Sequence, residues 1–243
     1  MKNFLLLCLV CLFSYGLFAQ DSSEEEEWVE DTETIKYPMF FGIGGQALLP
    51  LGAFGEKMQQ PGYGGQLEFL INLNRSSFYA GIASSIANFG NEVFEFIDAQ
   101  GFDVEWKTNS SLWSTHLMLH YEPLVKLPFQ PYVRGQIGFN HFFTVSRLVD
   151  PDLDEDRTLE RFVDDNDWGL SYGGALGFLI PLDKNWTTML DIRGTYFGGT
   201  NSSFFAKRQD TFTIQEDTIE AFTLEESPIQ MLGLQVGVLV FIE

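Results

Sequence analysis

The residues of this chain that could do chemistry fall into three groups. His116 and His120 stand four apart with Met118 between them. On an extended strand they share a face about 13 Å apart, so one metal ion cannot reach both. Each reads as an interior imidazole with its own partner. The third histidine, His141, lies near Ser146 and an acidic stretch. Histidine with serine or aspartate is the pairing a lipid-modifying enzyme would use, and sequence proximity alone does not make that site. Asp150, Asp152, Asp154 and Asp156 repeat carboxylates at alternate positions, and hard cations take several such oxygens. Glu155 occupies the place where a calcium loop needs glycine, and Arg161 the place of its bidentate glutamate. The four aspartates are thus an irregular calcium candidate, and the plainer reading is a solvated acidic loop. No other cofactor is expected. No glycine-rich phosphate loop, HExxH or GxSxG motif is present, and the chain is not expected to be an enzyme.

The elements that must position these residues follow from composition. The chain has 243 residues, 45% hydrophobic and 15% aromatic, with 23 glycines. That suits one domain with a large buried or lipid-facing surface. Lys and Arg number 14 against 34 Asp and Glu, a net charge of −20, which nucleic-acid phosphates would repel. Lys2, the apolar run Phe4 to Phe13 and Ala19 describe a secretory signal over residues 1–19. The run is too short to span a bilayer. The two cysteines, Cys8 and Cys11, leave with it, and with them disulfides and thiolate metal sites. Residues 20–36 form an acidic leader expected to be disordered. Residues 21–36 could dock a basic periplasmic protein partner.

From residue 37 to 243 the pattern has period two. Eight runs stand at about 38–49, 62–73, 78–90, 110–122, 131–145, 167–181, 186–198 and 229–242. In the second, Tyr63, Leu67, Phe69 and Ile71 oppose Gly64, Gln66, Glu68 and Asn72. In the eighth, Leu232, Leu234, Val236 and Val238 oppose Met231, Gly233, Gln235 and Gly237. Each run therefore has a bulky apolar face and a small or polar one. Glycine, alanine, serine and glutamine suit the cramped interior of an eight-stranded barrel, so the bulky face meets lipid. Glu68, His116, His120, Arg134, Asp191 and Arg193 then point into the lumen. They must pair there, because an unpaired buried charge is costly. A structural network filling the lumen is the plain reading; a gated pore or proton path is the sharper one. Short connections at 74–77, 123–131 and 182–185 alternate with long ones at about 50–61, 91–109, 146–166 and 199–228. Most of the acids lie in the leader and the long connections. Aromatics near the run ends, among them Trp113, Tyr121, Trp168 and Trp186, match interfacial girdles.

In this layout, residues 37 to 243 resemble the eight-stranded outer-membrane β-barrel superfamily, of the OmpA/OmpX-like and porin-family, PorT-like kind. The fold expected is all-β: a closed antiparallel eight-stranded transmembrane β-barrel with short periplasmic turns and long extracellular loops. The resemblance implies an exported, monomeric protein in contact with outer-membrane lipid. Three further readings stay open beside a non-enzymatic anchor for acidic loops. One is an accessory barrel of an envelope secretion machine, from the PorT-like resemblance. The others are a lipid-modifying enzyme and a soluble ligand-binding barrel. Such barrels commonly end in an aromatic residue, whereas this chain ends Val240-Phe241-Ile242-Glu243.

Overall fold

The computed structural model describes residues 39–74, 76–97, 103–123, 128–150, 157–207 and 222–242. The expected signal and leader lie outside the described residues. Eight strands and one short helix follow in order: β1 (Met39–Pro50), α1 (Gly52–Lys57), β2 (Gly62–Asn72), β3 (Phe78–Ile97), β4 (Asp103–Tyr121), β5 (Gln130–Asp150), β6 (Arg157–Pro181), β7 (Thr188–Lys207) and β8 (Phe222–Ile242). Each strand pairs antiparallel with the next. β8 returns to β1, with Met39 opposite Ile242 and Pro50 opposite Met231, and the sheet closes on itself. Closure removes every edge and leaves no row of unpaired backbone groups.

The strands run further than the alternation predicts. β3 continues to Ile97, β4 begins at Asp103, β5 reaches Asp150 and β7 reaches Lys207. Much of what reads as long connection at 91–109, 146–166 and 199–228 is paired ladder. The reason is visible in the register. It shifts between Asn88 and Asn91, between Thr144 and Val145, and between Gly198 and Asn201. An irregularity of this kind disturbs the parity of inward and outward side chains. The extra residue falls on β3, β6 and β7, so the period-two signal breaks on those strands although the pairing does not. Polar cross-strand contacts occur beyond the shifts: the Thr108 and Ser146 hydroxyls are 2.8 Å apart, and Asn201 Nδ2 donates to Glu226 Oε1 at 3.2 Å.

The barrel interior is layered. At the short-turn end, Phe40, Leu70, Tyr79, Tyr132, Met189 and Leu239 belong to one buried apolar cluster. Phe241 packs against it, 4.3 Å from Phe40 between ring centroids. The terminal aromatic thus faces inward. At the other end a second cluster gathers Leu48, Phe89, Phe142, Phe197, Phe204 and Met231 around Phe54 of α1. A helix of one or two turns has no stability of its own. This one is held by Phe54, fully buried, with ring centroids 5.1 Å from Phe204 and 5.9 Å from Phe89. Leu51 N–H donates to Gln230 O at 2.8 Å, and Lys57 pairs with Glu225 at 2.7 Å, tying the helix to β8.

The outer wall inverts the usual arrangement. Ile43, Leu117, Ile137, Leu170, Leu176 and Leu234 are all exposed, Leu170 and Leu176 to 68%. Aromatic side chains border this belt. Phe78 and Tyr121 sit 4.9 Å apart near the short turns. Trp113, Phe139, His141 and Trp168 cluster on the other side, with His141 stacked 4.3 Å from Trp168.

The short turn between β6 and β7 is organised by Asp183. Its carboxylate accepts from Thr188 N–H at 2.7 Å, Thr187 Oγ1–H at 2.8 Å and Asn185 N–H at 3.1 Å. Trp186 beside it takes a positive φ of 59°. The Thr188 amide above all holds the Asp183 carboxyl below its ordinary value of 3.8 against an opposing desolvation, with the Thr187 and Asn185 donors adding to it. A lowered folded value stabilises above the unfolded pKa, and the contribution disappears as pH falls through the folded value. The Asp183→Asn variant should therefore be less stable than the parent at neutral pH. The gap between their unfolding midpoints should close as pH is lowered below the ordinary carboxylate range.

Candidate functional site

Between the two apolar clusters lies a charged layer. Each participant arrives by parity: Glu68 sits two residues from Leu70 on β2, Arg134 two from Tyr132 on β5, and Asp191 two from Met189 on β7. Each of these neighbours is a buried member of the short-turn cluster. Space for the layer comes from missing side chains. A Cβ at Gly42 would lie 2.6 Å from Glu68 Cγ, and one at Gly177 would lie 2.7 Å from Arg193 Cβ and 2.6 Å from Tyr132 Cζ.

Glu68 is the hub. Arg134 donates to it through Nη1 at 2.7 Å, and Arg193 through Nη2 at 2.7 Å and Nη1 at 3.2 Å. Gln66 Nε2 adds a long contact at 3.5 Å. Arg193 also pairs with Asp191, whose other oxygen accepts from Tyr132 Oη at 2.5 Å. From Arg193 Nε the network continues to Gln235 Oε1, and Gln235 Nε2 donates to Gln46 Oε1 at 2.9 Å. Glu68, Asp191, Arg134 and Arg193 are each exposed by 3% or less. Two carboxylates balance two guanidiniums. Charge-assisted bonds of this kind are the strong ones, and a buried charge requires them.

His120 extends the layer toward the short turns. Arg134 Nε and Nη2 lie 3.3 Å and 3.1 Å from its Nδ1. An arginine only donates, so Nδ1 is the acceptor and the hydrogen is on Nε2. That nitrogen donates to Glu122 Oε1 at 2.8 Å. The ring stacks on Tyr132 at 4.4 Å, and the Arg134 guanidinium lies 5.3 Å from the same Tyr132 ring centroid.

Of the six residues expected inside, five thus meet in one network. His116 is buried but stands apart, with Nε2 2.9 Å from Ser171 Oγ. The two interior histidines share no partner. Of the calcium candidates, Asp150 ends β5 with Arg157 as its strand partner. Asp152, Asp154 and Asp156 lie outside the described residues. Among the described residues no three His, Cys, Asp or Glu side chains gather as metal ligands. His141 and Ser146 face opposite ways: His141 stacks on the exposed Trp168, while Ser146 is buried against Thr108. They do not form a catalytic pair.

Sequence reading omits Tyr132, Gln235 and Gln46 from the site. The parity that places Arg134 inside also places Tyr132 there, so a signal for it exists. It omits α1 as well, which carries no capping residue and no amphipathic length.

The arrangement has no free base or nucleophile in the charged layer: every carboxylate oxygen there is within reach of an arginine or tyrosine donor. What it does is join strands. Glu68 (β2), His120 (β4), Arg134 (β5), Arg193 (β7), Gln235 (β8) and Gln46 (β1) are linked across the lumen.

Fold and interior define a class, the closed eight-stranded antiparallel barrel with a filled lumen. Solved structures similar to the chain are outer-membrane barrels. Neisserial surface protein A matches with 11% identity over 84% of this chain and 97% of its own, with a TM-score of 0.49. A major outer membrane protein from Thermus thermophilus matches with 13% identity over 83% and 98%, at 0.45. The outer membrane protein OprG from Pseudomonas aeruginosa matches with 15% identity over 84% and 96%, at 0.41. No family model and no curated protein matches the chain.

Removing the hub leaves two buried guanidiniums without their shared carboxylate, a loss of about 3–5 kcal/mol. Glu68→Ala should therefore lower the urea unfolding midpoint of the barrel in detergent or lipid vesicles strongly. Adding Arg134→Met to Glu68→Ala should restore part of the loss, because one uncompensated charge is gone. Additive losses would show that the two residues are not coupled.

Proposed function

We propose that the chain is a non-enzymatic protein of a bacterial outer membrane, whose barrel anchors an acidic surface used for structural or recognition roles. One observation carries this reading. The outer wall is an apolar belt bordered by aromatics, while the charges are paired inside. Soluble proteins rarely expose a continuous apolar surface of this extent, and a bilayer covers it. The strands are long enough to cross, since a tilted strand needs about 9–11 residues.

The end opposite the short turns is the recognition surface in this reading. There the ladders of β3–β4, β5–β6 and β7–β8 extend beyond the register shifts and carry Glu92, Glu95, Glu160, Glu225 and Glu226. The lumen does not conduct: two apolar clusters and the charged layer fill it, as eight strands allow. Residues 1–19 serve export and leave the chain, and residues 20–36 form the periplasmic leader. The lipid-modifying alternative is disfavoured because His141 and Ser146 lie on opposite faces.

The test is the mobility of the protein from the outer-membrane fraction on a denaturing gel, unheated beside boiled. A closed barrel resists the detergent until heated, so the bands should differ. Reconstituted in a planar bilayer, the same protein should give no steady conductance. A single band, with the protein in the soluble periplasm, would assign the belt to a partner protein instead of lipid.

A further inference from the structure

The outer wall has a polar interruption on the loop-side border of the belt. Asn109, Ser111, Phe143, Val145 and Arg147 line a pocket of about 260 Å³. These are alternate residues of β4 and β5 and share the outward face, with Ser111 opposite Phe143, Asn109 opposite Val145 and Lys107 opposite Arg147. The polar floor is ordered. Asn88 donates to Ser111 Oγ at 3.3 Å and also to Asn109, and Ser111 Oγ–H donates to Asn109 Oδ1 at 3.3 Å.

Arg147 is exposed, and among the described residues it has no carboxylate partner. Its cross-strand neighbour on β4 is Lys107, which is paired with Glu105 at 2.9 Å. Like charges directly opposite on a sheet destabilise it. This basic pair in a chain of net charge −20 therefore calls for an anion beside Arg147.

Phe143 also borders a second depression. This groove of about 570 Å³ includes Ile43, Gly65, Leu67, Ile86 and Trp113 on its walls and floor. It lies within the exposed apolar belt. Trp113 is fixed at its edge by donating Nε1–H to Ser84 Oγ at 2.9 Å. A cationic pocket and an apolar groove thus adjoin at one side chain. A free anion would fill only the first, and an uncharged chain only the second.

We infer that this wall holds one anionic, phosphate-bearing membrane lipid, with its phosphate against Arg147 and the Asn109–Ser111 floor and an acyl chain in the groove. The inference rests on the membrane reading above. It adds a specific lipid site to what that reading treats as uniform solvent.

The test uses the full chain in a neutral detergent with EDTA, so that no divalent cation bridges the acids to phosphate. Native mass spectrometry reads retention of phosphatidylglycerol against phosphatidylcholine of the same chains, offered in equal amounts. The parent should keep phosphatidylglycerol severalfold better. Arg147→Gln should bring the two toward parity, and Arg147→Lys should keep most of the preference. Gly65→Val fills the groove, with a Cβ 3.4 Å from Gly44 O, and should weaken retention of both lipids. Glycerol phosphate alone should displace neither. An unchanged preference in Arg147→Gln overturns the site, as does displacement by glycerol phosphate as effective as by lipid. The heat-dependent gel shift establishes that each variant is folded. A chain that stays in solution without detergent overturns the membrane reading itself. A detergent-requiring barrel with no lipid preference overturns the site alone.

Discussion

The Glu68 carboxylate is the point on which the rest of the structure depends. A closed sheet of eight strands leaves an interior just wide enough for side chains, and that interior must be filled without stranding a charge. Glu68 accepts from two guanidiniums that reach it from β5 and β7. Through those arginines the bonds spread to β1, β4 and β8. A network of this kind gives side-chain reasons for closure in addition to the backbone ladder. It also fixes register, since a slip of one residue on β2 would turn Glu68 to the outer wall.

The apolar clusters on either side strengthen that layer. Phe40, Leu70 and Met189 close it toward the short turns, and Phe54 with its aromatic neighbours closes it toward the extended ladders. Water kept away from paired charges leaves their attraction less screened. The same exclusion makes a broken pair expensive. Gly42 and Gly177 belong to this logic, because a side chain at either would occupy the volume that Glu68 and Arg193 need.

How much of this is legible in the sequence depends on whether parity survives. Where pairing is regular, as along β2 and β8, alternation assigns both faces, and the interior position of Glu68 or Gln235 can be read directly. At Asn88/Asn91, Thr144/Val145 and Gly198/Asn201 the register shifts. The alternation breaks there on β3, β6 and β7 while the strands continue, so extended ladders read as loops. Phe241 has the parity of Gln235 and Leu239, and its inward face is seen in its contact with Phe40 across the β1–β8 seam. His141 and Ser146 show the opposite limit. They are close in sequence, yet an odd spacing on a strand puts them on different faces. The short helix α1 is invisible locally because tertiary contacts, the burial of Phe54 and the ties of Leu51 and Lys57 to β8, stabilise it.

These constraints also decide where the net charge can be. The charged layer is balanced, and the belt between the aromatic borders is built from exposed large apolar side chains. An excess of twenty negative charges is therefore carried neither by that layer nor by that belt. Repulsion among them acts over about 8 Å at physiological salt, which is comparable with the width of a strand pair. Where Glu225 and Glu226 stand side by side on β8, Lys57 pairs with the first and Asn201 donates to the second. Such repulsion is relieved by partners of this kind, by cations or by a basic surface.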